Sequence, residues 1–322
     1  MLAIRVDTPG DAAGLIVVDL PVPSAGAGEA VVRVEAAGVN FIDVYKRSGQ
    51  YPVPRPFTAG EEGAGVVEEV GEGVTELRVG DRVAWAGVGG SYAEYAAVPA
   101  AQLVSLPDGV TTRQGAALML QGITAHYLAT STYPLQRGDR CLVHAAAGGV
   151  GLLLVQIAKL RGATVIGTAS SDEKAALARE AGADHVIVYT RDDFVAATRH
   201  FTGGAGVHVV YDSVGATTFL PGLDLLVRRG MMVLFGQSSG AVDPFDPQLL
   251  NRKGSLYLTR PNRAHYVATR AELLSRAAEL FAWVESGTVE VRIGAEFPLV
   301  RAADAHRALE ARQTTGKVLL VP

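Results

Sequence analysis

One stretch constrains the fold of this chain more than any other: RCLVHAAAGGVGLLLVQIAKLRGATVIGTASSDEK, residues 140–174. An apolar run of strand character ends in small residues and glycines. It passes into an apolar helix that stops at Gly162, then returns as a second strand ending at two serines. Such a turn leaves backbone N–H groups free at a helix N-terminus, where the helix dipole favours an anion such as a pyrophosphate. Glycines let a ligand approach the backbone without meeting a Cβ. The pattern is Ala146-x-Gly148-Gly149-x-Gly151, which departs from a strict G-x-G-x-x-G by its first Ala. The strand before it, the helix after it and the next strand thirteen residues past Gly151 (164 − 151) give it weight. The competing reading is a tight β–α turn serving a different ligand.

The alternation continues. Helical DEKAALAREAG, the apolar run HVIVY, helical DDFVAATRHF, then GVHVVYDSV and GMMVLFG follow in order. Continuous apolar strands separated by helices are expected of a parallel sheet covered on both faces. Residues 124–262 therefore read as a doubly wound α/β domain. Before residue 120 the texture differs. Short β-rich runs (AVVRVEAAGV, GAGVVEEVG, GDRVAWAG, YAEYAAVP) alternate with Gly and Pro, as in a barrel-like β domain. The last sixty or so residues hold one helix and two short strands, too little for a domain. They are expected to complete the N-terminal one. The predicted organisation is residues 1–123 plus 263–322 as a β domain, interrupted by the α/β domain.

Composition narrows the function. A length of 322 residues supports about two domains, at roughly 100–200 residues each. The formal net charge is −4, which argues against a nucleic-acid or anionic-lipid partner. The single cysteine, Cys141, excludes a disulfide framework and a cysteine-rich zinc lobe. The N-terminal MLAIRVDTPG lacks the apolar core of a signal peptide, and no window approaches ~18 uninterrupted apolar residues. The expectation is a soluble, cytoplasmic protein.

The end of the second strand bears on the ligand. Dinucleotide sites selective for NAD place an acidic residue about 20 positions after the fingerprint, to accept from the ribose 2′-OH. Here that count reaches Ser170 and Ser171, with Lys174 one helical turn on. Two hydroxyl donors and an ammonium suit the 2′-phosphate of NADPH. Asp172 is the counter-evidence; it also reads as a first-turn acid, with Ser170 or Ser171 as N-cap. Tyr189, at the end of the third strand, offers another hydroxyl or is simply a strand-end aromatic.

Across both domains the chain resembles the zinc-free quinone oxidoreductases of the medium-chain dehydrogenase/reductase superfamily. The resemblance rests on motifs in order: GVNFIDVYKRSGQYP (38–52), GEEGAGVVEEVG (60–71), VGDRVA (79–84), HAAAGGVG (144–151), VVYDSVG (209–215), SSGAV (238–242) and GSLYLTRP (254–261). It implies a GroES-like β domain interrupted by a Rossmann domain, NADPH as cofactor and a quinone as acceptor. Asn40, Phe41, Ile42 and Tyr45 would line the nicotinamide end, with Tyr127 nearby. Gly148, Gly149 and Val150 would meet the pyrophosphate. Ser170, Ser171, Lys174 and Tyr189 would hold the 2′-phosphate and its ribose. Ser213 at a strand tip, Gln237, Ser238, Ser239 and Gly240 would border the nicotinamide, followed by Arg260, Pro261 and Asn262 and joined by Arg312. Gln237 departs mildly from the Asn common in relatives.

Zinc-bearing cousins carry a Cys, a His and a third ligand at positions that here read Asn40, Glu61 and Gln121, so no metal is expected. Without that Lewis acid the acceptor must itself absorb charge, as a quinone does. Asn40, Asp43, Tyr45 and Tyr51 are the polar groups expected around it. The same features admit an NADPH-dependent reductase of activated double bonds, or a non-catalytic NADPH- and RNA-binding protein. GSLYLT (254–259) reads as an exposed edge strand through which two copies would form a homodimer.

Overall fold

The computed structural model describes all residues 1–322, in two units: Met1–Ile123 with Val267–Pro322, and Thr124–Tyr266. The first unit opens with strands β1 (Leu2–Val6), β2 (Ile16–Asp19) and β3 (Glu29–Val39), then helix α1 (Phe41–Ser48). Strands β4 (Phe57–Thr58), β5 (Glu62–Val70), β6 (Arg82–Ala86), β7 (Tyr95–Pro99) and β8 (Val104–Ser105) follow, then helix α2 (Thr112–Leu118). The chain leaves this unit along helix α3 (Gln121–Tyr127).

The second unit alternates β9 (Arg140–Val143), α4 (Gly149–Leu160), β10 (Thr164–Ala169), α5 (Asp172–Glu180), β11 (His185–Val188), α6 (Phe194–Phe201) and β12 (Val207–Asp212). It continues with α7 (Phe219–Leu223), β13 (Leu226–Leu234), α8 (Gln248–Arg252) and β14 (Tyr257–Thr259). The first unit then resumes with α9 (Arg270–Glu285), β15 (Ile293–Pro298), α10 (Ala302–Glu310) and β16 (Lys317–Val321).

In the second unit six strands pair in parallel, in the order β11-β10-β9-β12-β13-β14. Counted within the sheet this is 3-2-1-4-5-6, the doubly wound Rossmann order, which reverses direction between β9 and β12. The strand residues explain it. Cys141, Leu142, Val143, Val165, Ile166, Val209, Val210 and Tyr211 are all at most 1% exposed, as strands covered on both faces must be. The alternating α/β reading of the sequence therefore holds. Helices α7 and α8, five residues each, were not legible. Pro221 and Gly222 in the first and Pro247 ahead of the second carry turn rather than helix signals.

In the first unit a seven-stranded sheet runs β15-β16-β3-β5-β6-β8, with β7 also paired to β3. A smaller sheet runs β2-β1-β4. Strand β3 is eleven residues long, and register shifts at Val31/Val32 and Val34/Ala36 bend it so that β5, β7 and β16 all pair with it. Trp85, Tyr92, Val32, Val67, Val98 and Leu320 fill the core between these sheets, all fully buried. No helix is long and apolar enough to cross a membrane.

Candidate active site

Four strands and helices of the first unit converge on a buried charge. Lys317, on β16, is 1% exposed, and Glu62, the first residue of β5, is 0% exposed. Their side chains form an ion pair. Lys317 Nζ also donates to Asn40 Oδ1 at 2.9 Å, and Gln121 Nε2 donates to the same oxygen at 3.1 Å. Asn40 Nδ2 donates to Glu62 Oε2 (2.9 Å) and to Gly38 O (3.2 Å). Glu62 Oε1 accepts from the backbone of Leu120 at 2.6 Å. The Asn40 amide, expected from the sequence to face the reaction, thus spends both lone pairs and both N–H groups inside the protein. A Cβ on Gly38 would collide with Glu62 and stand 2.6 Å from Lys317 Nζ, so the ion pair accounts for the glycine two residues before Asn40.

This arrangement does not fit a catalytic zinc. Asn40 and Gln121 offer amides, and Glu62 is already neutralised. The chain's own ammonium supplies the positive charge that a divalent ion would bring, and it would repel one. No group of three or more His, Cys, Asp or Glu side chains could hold a metal ion.

From Asn40 the chain turns into α1. Asp43, in its first turn, accepts the Asn40 backbone N–H on Oδ2 at 2.8 Å, which caps the helix. Arg47 donates to His306 Nδ1 (3.3 Å) and grips Glu310 with two bonds (3.0 and 2.7 Å). A guanidinium can only donate, so Nδ1 accepts and the ring proton sits on Nε2. That proton faces Tyr92 Oη at 3.1 Å, which leaves the Tyr92 hydroxyl to donate to Asp43 Oδ2 at 3.2 Å. The chain of bonds therefore runs one way, from Arg47 to Asp43. Burial, aided by the neighbouring Glu61 carboxylate, still raises the Asp43 pKa to about 7, and its Oδ1 has no partner. Burial lowers His306 to about 3. Glu61 itself is paired with Lys46. Three aromatic rings line the same helix and the segment after it. Tyr45 lies 5.2 Å from Tyr51 and 6.1 Å from Phe41, centroid to centroid. Ile42, between Phe41 and Asp43, is half-buried.

In the second unit the candidate residues gather at the C-terminal ends of the parallel strands, where ligands of open α/β sheets bind. After β9 the backbone tightens through Ala145, at φ +54°, and Gly148 N donates to Ala145 O at 2.9 Å. Gly148 is the N-cap of α4, with Gly149 and Val150 in its first turn. A Cβ on Gly151 would run into the backbone of Ala145 and Ala146. His144, just ahead of this turn, is buried against Thr168 (3.1 Å), and burial lowers its pKa, so it is a neutral core histidine.

The loops after β12 and β13 are laced together. Ser238 N donates to Ser213 O (3.1 Å), Ser239 N and Oγ to Val214 O (both 2.8 Å), and Ala216 N to Gly240 O (3.2 Å). Asp212, absent from the sequence expectations, holds the first of these loops. Its buried Oδ1 accepts from Val214 N (2.7 Å), Gly215 N (3.0 Å) and Thr218 Oγ1 (2.9 Å). Its sequence signals were its place in the VVYDSVG motif and its being the lone acid ending an apolar strand. Gln237 lies in the second loop, and Arg260, just past β14, donates to Leu234 O at 3.0 Å. Pro261 and Asn262 follow it. Tyr127 is buried and stacked on Tyr266 at 4.2 Å, and burial raises its pKa to about 12.

At the far end of the sheet, β10 gives way to Ser170 and Ser171. Ser171 Oγ caps α5 by accepting from Lys174 N at 3.3 Å, as its position before Asp172 suggested. Tyr189 N donates to Ala169 O (3.1 Å) and Thr190 Oγ1 to Ser170 O (3.1 Å), so the ends of β10 and β11 bring Ser170, Ser171, Lys174 and Tyr189 together. Arg312 belongs to the first unit, just past α10, at φ +58°.

Residues 26–108 match the alcohol dehydrogenase GroES-like domain, and residues 149–275 match the zinc-binding dehydrogenase family. A quinone oxidoreductase of Pseudomonas aeruginosa is 47% identical over 299 residues, 92% of each chain. A 2-haloacrylate reductase of a Burkholderia species is 42% identical over 315 residues, 94% of each. The crystal structure of the Escherichia coli quinone oxidoreductase complexed with NADPH superposes with a TM-score of 0.98 at 43% identity, covering 100% of both chains. The chain belongs to the quinone oxidoreductases of the medium-chain dehydrogenase/reductase superfamily, with a GroES-like domain and a Rossmann domain.

Proposed function

We propose that this chain is an NADPH-dependent quinone reductase. The observation that carries the reading is the buried Lys317–Glu62–Asn40–Gln121 network, which sits where metal-dependent members of the superfamily need ligands. An acceptor served by this site has to take up negative charge in its own conjugated ring. The cluster of Ser170, Ser171, Lys174 and Tyr189 would hold the phosphorylated ribose. Gly148, Gly149 and Val150 would receive the pyrophosphate at the α4 N-terminus. The laced loops carrying Ser213 and Gln237 through Gly240, with Arg260, Pro261 and Asn262, would border the nicotinamide; Asn40, Phe41, Ile42, Tyr127 and Arg312 are assigned with them. When bound, NADPH supplies the reducing equivalents, as a hydride or as single electrons. Tyr45 and Tyr51 orient the acceptor and offer it hydroxyl donors, Asp43 stores a proton near neutral pH, and the aromatic rings exclude water.

The relatives called quinone oxidoreductase support the acceptor class, and the NADPH-bound Escherichia coli structure supports the cofactor. The similarity to a 2-haloacrylate reductase favours a second reading, reduction of an activated double bond with the same cofactor. A cytoplasmic location and a homodimer paired through β14 complete the proposal. Loss of reduced-nicotinamide absorbance, followed with NADPH and with NADH against 1,4-naphthoquinone, 2-enals and 2-haloacrylate, tests it. Turnover of the quinone well above the others is the expected result. Exclusive turnover of the alkenes would transfer the function to the second reading, and no turnover with NADPH would remove both.

A further inference from the structure

Resting on the NADPH reading, we propose that Arg191 sets the coenzyme preference of the Rossmann unit by acting on Asp172, which it holds in a two-bond pair beside the phosphate cluster. The observations are local. Arg191 Nη1 donates to Asp172 Oδ2 at 3.0 Å and Nη2 donates to Asp172 Oδ1 at 3.1 Å. Both acceptor oxygens of the carboxylate are thereby engaged by one planar donor fork. The two residues come from different elements: Asp172 opens α5, and Arg191 follows β11 two residues after Tyr189. The pair therefore bridges the two strand ends that present Ser170, Ser171, Lys174 and Tyr189.

The chemistry gives the pair its meaning. Asp172 stands one residue past Ser171, close to where NAD-selective sites carry an acid for the ribose 2′-OH. A free carboxylate there would accept from an unphosphorylated ribose and repel a phosphorylated one. The charged groups around it are Glu173 and Lys174 on α5, Arg179 two turns along the same helix from Asp172, and Asp192, whose Oδ2 lies 3.7 Å from Arg191 Nε. Arg191 reaches the Asp172 carboxylate itself, with one N–H on each oxygen. Its bond holds the Asp172 carboxyl below the usual range, so the carboxylate is ionised and is answered by the guanidinium rather than by a proton. Arg191 is a positioning residue in this account. It removes a repulsion and occupies the acceptor oxygens, and it need not touch the phosphate.

The test is equilibrium binding of NADPH, NADH and adenosine 2′,5′-bisphosphate by calorimetry, so the readout does not depend on turnover. Both side chains are well exposed, so the variants fold. Arg191→Ala is expected to weaken NADPH and the bisphosphate about tenfold and to tighten NADH about twofold. Adding Asp172→Ala is expected to return NADPH to within about twofold of the parent, because the repulsion leaves with the carboxylate. A double variant as weak as Arg191→Ala would overturn the proposal, since Arg191 would then be contacting the phosphate directly. Unchanged binding in Arg191→Ala would also overturn it. A parent chain that prefers NADH would instead defeat the NADPH reading, and the proposal with it.

Discussion

Tyr51 and Asp43 show how differently two polar residues of one segment can serve a site. Tyr51 follows α1, its ring centroid 5.2 Å from that of Tyr45, and is one of the two tyrosines proposed to meet the acceptor. Tyr51→Phe is therefore expected to lower kcat by about tenfold while leaving the affinity for NADPH within about twofold, read from steady-state kinetics and from binding. An unchanged kcat removes the hydroxyl from the reaction. Asp43 is buried, and its effect appears first in stability. Its pKa rises from 3.8 to about 7, so the folded state binds its proton more tightly than the unfolded one. Its contribution is complete below about pH 4 and is lost as pH rises to about 7. His306 works in the opposite direction. Depressed from 6.5 to about 3, it contributes fully above about pH 6.5 and loses that contribution as pH falls. Asp43→Asn should therefore lose less stability between about pH 5 and pH 8 than the parent, by a few kcal/mol in denaturant titrations. Equal slopes would mean that Asp43 carries no proton in that range. The sequence pointed to Asn40, Asp43, Tyr45 and Tyr51 together because they fall within one motif. It could not reveal that the Asn40 amide is consumed internally, because its partners come from 22, 81 and 277 positions away.

At the scale of elements, β3, β5, β16 and the start of α3 meet at a charge that no local pattern announces. Lys317 lies in a short strand that reads as apolar, and Glu62 lies in a glycine-rich run; they are 255 residues apart. The pairing of β16 with β3, Leu319 opposite Gly38 and Val318 opposite Val39, and of β3 with β5, Ala37 opposite Gly63, carries Lys317 to Glu62. Removing one partner of a buried pair strands the other charge. Lys317→Met is expected to destabilise the protein by about 3–5 kcal/mol, measured as a lowered Tm and an earlier denaturant midpoint. Glu62→Gln added to it should recover most of the loss, because the unpaired carboxylate is gone. A double variant no better than the single one would show that the pair's worth lies in packing. The Rossmann elements were legible for the opposite reason. Each helix of that unit from α4 to α6 follows its strand directly, and the buried strands need only apolar residues in sequence. The short α7 and α8 escaped because their turns contain proline and glycine, and tertiary packing rather than propensity holds them.

At the scale of the molecule, the parallel sheet ends in strands of unlike character. Strand β11, at one end, is covered by the helices flanking it, and His185 stacks on Phe201 at 4.2 Å. Strand β14, at the other end, pairs only with β13 and has only three residues, of which Tyr257 is 56% exposed. A strand edge with an exposed aromatic invites pairing with another strand, and apart from its short length β14 has no guard against it: its residues, Tyr257, Leu258 and Thr259, include neither a charge nor a proline. Two copies meeting edge to edge about a two-fold axis would satisfy the free backbone groups and cover both tyrosines, joining the two sheets into one. Sedimentation equilibrium of the parent chain is expected to give twice the monomer mass of 33.7 kDa. Leu258→Pro, which removes one backbone donor and leaves the exposed side chain of Tyr257 in place, should shift the equilibrium toward monomer at micromolar concentration. A parent that sediments at the monomer mass would leave β14 as a bare edge, and its short length would then be the only protection it has.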